Sequence, residues 1–128
     1  MISSLPQEPQ YSGFPTWLQE YHGCIDDLLK VYYGKASTEL ERRAFEAASK
    51  GKRMRAVLAL LWCEASCGNY LQAAPVAVAY ELAHAAAIVQ DDVIDHSELR
   101  SGERSVMGRY GISGAILISN TLLFSVPK

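Results

Sequence analysis

Three features of the sequence predict an all-α fold. Apolar residues recur at helical spacing over residues 16–33 and again over 56–124. Glycine, proline and asparagine breaks fall between these runs, and no stretch shows strand alternation, an internal repeat or low complexity. The 128 residues are 49% hydrophobic and 20% charged, enough apolar surface to bury a core in one ordinary domain or in part of a larger one. A formal net charge of −2 argues against a nucleic-acid binder, whose domain would be basic. The three cysteines, Cys24, Cys63 and Cys67, lack the spacing of a disulfide framework, so a reducing cytoplasm is expected. Cys63 and Cys67, one turn apart, are expected to pack within a helix.

Residues 1–14, with two prolines ahead of Pro15 and no apolar core segment, read as a flexible arm rather than a signal peptide. Residues 15–128 form the folded portion. Pro15 and Thr16 start a first helix that Gly34 stops, with Leu18, Tyr21, Ile25, Leu28 and Tyr32 on its apolar stripe. Ser37 or Thr38 caps a second, charged helix over 39–50 with a solvated outer face. Gly51-Lys52-Arg53-Met54-Arg55 interrupts the pattern, and a third helix follows over 56–67. Gly68-Asn69 is a turn, and Pro75 suits the first turn of a fourth helix, apolar nearly all round and therefore central. Residues 97–105 form a polar loop, and helix resumes over 107–124, broken near Gly111. The uncharged run 110–127 falls just short of a membrane span and contains Ser113, Ser119 and Asn120, so a buried bundle helix is expected and no transmembrane segment.

The fourth helix ends in Asp91-Asp92-Val93-Ile94-Asp95. At helical pitch Asp91 and Asp95 lie about 40° and one turn apart, with Asp92 beside them. Like charges so close repel, which a hard divalent cation with oxygen ligands would relieve. Taken alone, such a string is more often a solvated acidic helix end. At the other pole, Lys52 and Arg55 open the third helix, where N–H groups and the dipole already favour anions. Three residues apart, they can grip one phosphate-like group. Cations are electrostatically ill placed at a helix N-terminus, which modestly favours a ligand over a plain basic start. His84 sits seven residues before Asp91 on the same face, about 10 Å along the axis, and Arg100 is within loop reach of the aspartates.

The combination resembles the trans-isoprenyl diphosphate synthase (polyprenyl synthetase) family over residues 51–124. Gly51-Lys52-Arg53-Met54-Arg55 is similar to its Gly-Lys-Arg-x-Arg-Pro motif, and Asp91-Asp92-x-x-Asp95 with Arg100 to its first aspartate-rich motif. The resemblance implies the N-terminal half of an isoprenoid-synthase helical bundle. It implies that Lys52, Arg55 and His84 bind isopentenyl diphosphate, that Asp91, Asp92 and Asp95 hold Mg²⁺ on an allylic diphosphate, and that Arg100 contacts the same group. The implied reaction ionises the allylic C–O bond, lets the second substrate's double bond attack the carbocation, and loses a proton to the released diphosphate. A helix-packed homodimer or heteromer is implied as well.

Four departures qualify the likeness. Ala56 replaces the family's proline; Ser101 stands where a second arginine is usual, leaving Arg104 as a possible substitute; Ser119-Asn120 occupies the place of a Gly-Asp pair; and no second aspartate-rich motif appears before Lys128. The 128 residues alone are therefore expected to be inactive, and a non-catalytic partner subunit is the alternative. Below the aspartates Ala87 and Ala83 leave room for a growing tail, and Tyr80, about 16 Å from Asp91, is the first side chain large enough to be a floor. A product near geranylgeranyl length is expected.

Overall fold

The computed structural model describes Gly13 and residues 15–125, the side chain of Tyr33 excepted. The arm expected over 1–14 lies, Gly13 apart, outside the described residues. The chain runs as α1 (Thr16–Gly34), α2 (Glu39–Ser49), α3 (Met54–Ala65), α4 (Tyr70–Ile94), a two-residue antiparallel pair β1 (Leu99–Arg100) and β2 (Glu103–Arg104), and α5 (Val106–Phe124). The fold is all-α. The predicted polar loop contains the short hairpin, with Leu99 opposite Arg104 and Arg100 opposite Glu103. Its turn residues Ser101 and Gly102 both take positive φ, 52° and 83°, the geometry of a tight two-residue turn.

Each helix starts and stops for local reasons. Thr38 caps α2 in a full capping box: its hydroxyl accepts from the Glu41 N–H, and the Glu41 carboxylate accepts from the Thr38 N–H. Ala44, Phe45 and Ala48 face the core while Glu39 pairs with Arg42 and Arg43 on the outer side. α3 starts at Met54, two residues earlier than expected, and ends at Ala65. Cys67 is therefore outside the helix, exposed and at φ 62°, not packed within it. α4 begins at Tyr70 because the Asn69 side chain accepts from the Leu71 N–H, so Pro75 lies inside the helix rather than in its first turn. The ring sacrifices only the bond that its N–H would have made to Leu71, close to an end already short of partners. α5 is kinked at Gly111, whose φ of 73° and ψ of 176° are closed to other residues.

α4 touches all four other helices and is the axis of the bundle. Ala74, Ala77, Val78, Leu82, Ala86 and Val89 form its buried stripe. Against it pack Leu18, Ile25 and Leu29 of α1, Val57 and Leu60 of α3, and Ile118 and Leu122 of α5. Among the described residues α4 is the helix long and apolar enough to cross a membrane by composition, and its place at the axis accounts for that composition. The opposite face of α4 is open: Val76, Tyr80, Ala87, Asp91 and Asp95 are all exposed. Leu58 and Trp62 of α3 and Ile116, Leu117 and Phe124 of α5 are exposed too, a large apolar area for a chain this size.

Candidate functional site

The open face of α4 carries the predicted residues. Arg55 leaves the first turn of α3 and places Nη1 2.9 Å from Nε2 of His84, so the guanidinium donates to the ring nitrogen. Tyr80, one turn back on α4, and Ala83, next to His84, join Arg55 and His84 in lining a cavity of about 260 Å³. Ala87 is exposed further along the helix and is not part of that lining. The Lys52 side chain is exposed on the loop before α3. The structure thus brings Arg55, His84, Tyr80 and Ala83 to one place, with Lys52 at the adjoining helix start.

The loop that presents Lys52 and Arg55 is anchored from beneath by residues that the sequence reading did not single out. Arg53 is 4% exposed, at φ 55°, with Nε 3.0 Å from an Asp26 oxygen. It also donates to the carbonyls of Ala48 at 2.6 Å and Ser49 at 2.8 Å. Glu81, buried in α4, lies 4.0 Å from Arg53 Nη1 and accepts from the Ala56 N–H at 3.1 Å, capping α3 from another helix. His22, buried in α1, reaches the Lys52 carbonyl at 3.0 Å. A signal for this anchor was available: Glu81 is the lone carboxylate of an alanine-rich run, and buried acids need partners. Arg53 takes a left-handed backbone at the position just before α3, and its side chain is buried while those of Lys52 and Arg55 on either side are exposed.

At the far end of the same face the three aspartates separate. Asp91 and Asp95 are exposed, joined through the backbone by the Asp95 N–H donating to the Asp91 carbonyl at 2.9 Å. Asp92 is instead 3% exposed and its carboxylate is engaged by Arg100. Arg100 Nε lies 3.0 and 3.1 Å from the two oxygens and Nη2 2.7 Å from Oδ1. The Arg100 guanidinium is pushed above its ordinary pKa chiefly by the hydrogen bonds to Asp92; burial opposes this, while the charges of Asp92, Asp91 and Asp95 add to it. Among the described residues no group of three His, Cys, Asp or Glu side chains converges to hold a metal ion. The aspartates therefore offer two exposed oxygen ligands one turn apart, and a third carboxylate that orients an arginine.

The departures have structural counterparts. Ser101 occupies the hairpin turn, and Arg104 Nη1 donates back to the Gly108 carbonyl at 3.2 Å. Arg104 also lines a second cavity, of about 510 Å³, with His96, Glu98 and Met107. Ser119 is buried between α5 and α4; its hydroxyl donates to the Ile116 carbonyl at 3.0 Å and lies 3.5 Å from Gln90 Nε2.

Residues 37–128 match the polyprenyl synthetase family. A geranylgeranyl diphosphate synthase of Methanosarcina mazei is 36% identical over 99 residues, which cover 77% of this chain and 30% of that protein. A geranylgeranyl pyrophosphate synthase of Geoglobus acetivorans is 37% identical over 98 residues, with the same coverage of 77% and 30%. The solved structure of a geranylgeranyl pyrophosphate synthetase from Geoglobus acetivorans superposes with a TM-score of 0.75 at 29% identity, covering 85% of this chain and 36% of that one. The chain spans about a third of the length of these relatives. Its helical fold, its basic helix start and its aspartate-tipped central helix, together with a family match over residues 37–128, show that the chain belongs to the polyprenyl synthetase family.

Proposed function

We propose that this chain supplies the N-terminal walls of a prenyltransferase that joins isopentenyl diphosphate to an allylic diphosphate, giving a linear polyprenyl diphosphate near geranylgeranyl length. The observation that carries this reading is one open face of α4 bordered by two distinct clusters, one of cationic and N–H donors and one of carboxylates. Arg55 beside His84 stands at one end, and Asp91 with Asp95 stands about two turns further on. The first grip is made of cationic and N–H donors and suits the diphosphate of isopentenyl diphosphate, with Lys52 adding a point charge. The second is made of carboxylates and suits Mg²⁺, which takes one or two such ligands and leaves the rest of its shell to substrate phosphates and water.

Mg²⁺ held by Asp91 and Asp95 would supply positive charge to a departing diphosphate. Asp92 keeps Arg100 beside that position, so the arginine is oriented before substrate arrives. Ala83 and Ala87 leave the face open for a hydrocarbon tail and Tyr80 closes it. The exposed apolar areas of α3 and α5 support packing against further helices, in a longer synthase or in a second chain. The free cysteines Cys24, Cys63 and Cys67 are in keeping with a reducing cytoplasm.

A chimera tests the reading: residues 37–128 of this chain replace the aligned segment of the Methanosarcina mazei relative. Turnover of labelled isopentenyl diphosphate with an allylic primer is expected, and Asp91→Asn or Asp95→Asn should lower kcat by about 100-fold or more. Turnover unaffected by either substitution would overturn the assignment.

A further inference from the structure

α3 starts without a cap from its own loop. Its N-cap residue is Arg53, whose side chain makes no capping bond and carries no acceptor. The Val57 N–H already bonds within the helix, to the Arg53 carbonyl at 2.9 Å. The Ala56 N–H comes one residue too early for such a partner. It donates instead to Oε1 of Glu81, 25 residues further along the chain and on α4, at 3.1 Å. Proline, which the related motif carries at this position, has no N–H, so the donor exists because residue 56 is alanine. Both partners are buried, Ala56 completely and Glu81 to 7% exposure.

The place of this bond matters more than its strength. A side chain on the preceding loop would satisfy the N–H equally well but would leave α3 free to shift along α4. Glu81 belongs to α4 itself, so the start of α3 is held to the helix it packs against. The bond adjoins both arms of the basic cluster: Arg55 precedes Ala56, and His84 lies three residues past Glu81, about one turn on. Arg55 Nη1 stands 2.9 Å from His84 Nε2 across the same seam. Oε2 of Glu81 lies 4.0 Å from Arg53 Nη1, so one carboxyl group meets both the N-cap residue and the first turn. The role asks of residue 81 only an oxygen acceptor on a side chain of this length.

We infer that Glu81 is a positioning residue for the diphosphate grip: through the Ala56 N–H it fixes the first turn of α3 against α4 and so sets the distance between Arg55 and His84. The inference rests on the proposed role of Arg55 and His84 in binding a diphosphate, and its test separates the two. Inorganic pyrophosphate is titrated calorimetrically into the chain with EDTA present, so that no metal bridges it, at a temperature where circular dichroism shows each variant folded. Glu81→Met, which keeps the length and loses the acceptor, should weaken binding about tenfold through misplacement of Arg55. Glu81→Gln keeps an oxygen and should bind as the native chain does; a loss equal to that of the methionine variant overturns the inference.

A double-variant cycle with Arg55→Ala identifies the route. Since Glu81 acts by placing Arg55, Glu81→Met combined with Arg55→Ala should bind no worse than Arg55→Ala alone, and a further loss of about tenfold overturns the inference. If the methionine variant does not fold, lactic acid in place of Ala56 deletes the N–H and keeps the methyl group, and the same loss and the same cycle are expected. A merely stabilising cap would lower the melting temperature and leave affinity unchanged, which overturns the inference while Arg55→Ala still weakens binding. Absence of pyrophosphate binding by the native chain, or binding indifferent to Arg55→Ala, would overturn the role of the basic cluster itself, and this inference with it.

Discussion

Replacing Arg53 by methionine should destabilise the chain by roughly 3–5 kcal/mol, the cost of breaking a buried ion pair from one side. Methionine can fill most of the volume, and both residues must adopt the same left-handed backbone at φ 55°, so neither packing nor strain dominates the difference. What is lost is a set of charge-assisted bonds to Asp26, Ala48 and Ser49, at 3.0, 2.6 and 2.8 Å. What remains is Glu81, with a side chain 9% exposed and its cation gone. Asp26 is a quarter exposed and recovers part of its hydration, which favours the lower half of the range.

At about 1.5 kcal/mol per molar urea for a chain of this size, the midpoint followed by helical circular dichroism should fall by about 2–3 M. The double variant Arg53→Met with Glu81→Gln removes the stranded charge while Gln keeps an oxygen for the Ala56 N–H. It should therefore be more stable than the two single losses sum to, by about 1–2 kcal/mol. A cost below about 1 kcal/mol for Arg53→Met, or strict additivity in the pair, would refute the anchor.

Gly108→Ala should cost about 2–3 kcal/mol in the same assay, because a Cβ there would sit 2.3 Å from the Glu98 backbone oxygen; native-like stability would mean that the seam between α5 and the hairpin is loose. Tyr80→Ala in the chimeric synthase should shift products to longer chains by chromatography, and an unchanged distribution would remove Tyr80 as the floor. Tyr21 has its pKa pushed up to about 12, first by its hydrogen bond to Glu64, then by burial and by the charge of Glu64. Its protonated form is thus favoured on folding, and the contribution is intact below its ordinary value near 10 and lost as pH rises from about 10 to 12. Tyr21→Phe should flatten the urea midpoint over that interval, and an identical alkaline slope would rule the phenol out as its source.

The helices were legible because their signals are local. Thr38 with Glu41 three residues on announces α2, Gly111 announces the kink, and the apolar stripe of α1 puts Leu18, Tyr21 and Ile25 inward as observed. Pro75 misled because a proline marks a permitted helix start, whereas the capping side chain of Asn69 set the actual one. Cys67 misled because helical spacing continues past Ala65 in the sequence although the backbone has already turned. The site was legible as a set of charges and illegible as a set of partners. Sequence spacing placed Asp91, Asp92 and Asp95 together, but only the returning hairpin brings Arg100 onto Asp92 and leaves the other two exposed. The ties from His22, Asp26 and Glu81 to the loop before α3 span about 30 residues of sequence each, beyond any local pattern.

The proposed function requires two diphosphate grips along the open face of α4, one needing a cation and one not. Amide NMR of the chain titrated with inorganic pyrophosphate would map both. Without metal, shifts should be confined to the surroundings of Lys52, Arg55 and His84; added Mg²⁺ should bring a second, separate set at Asp91, Asp95 and Arg100. A single set of shifts, or a metal response that bypasses Asp91 and Asp95, would contradict it.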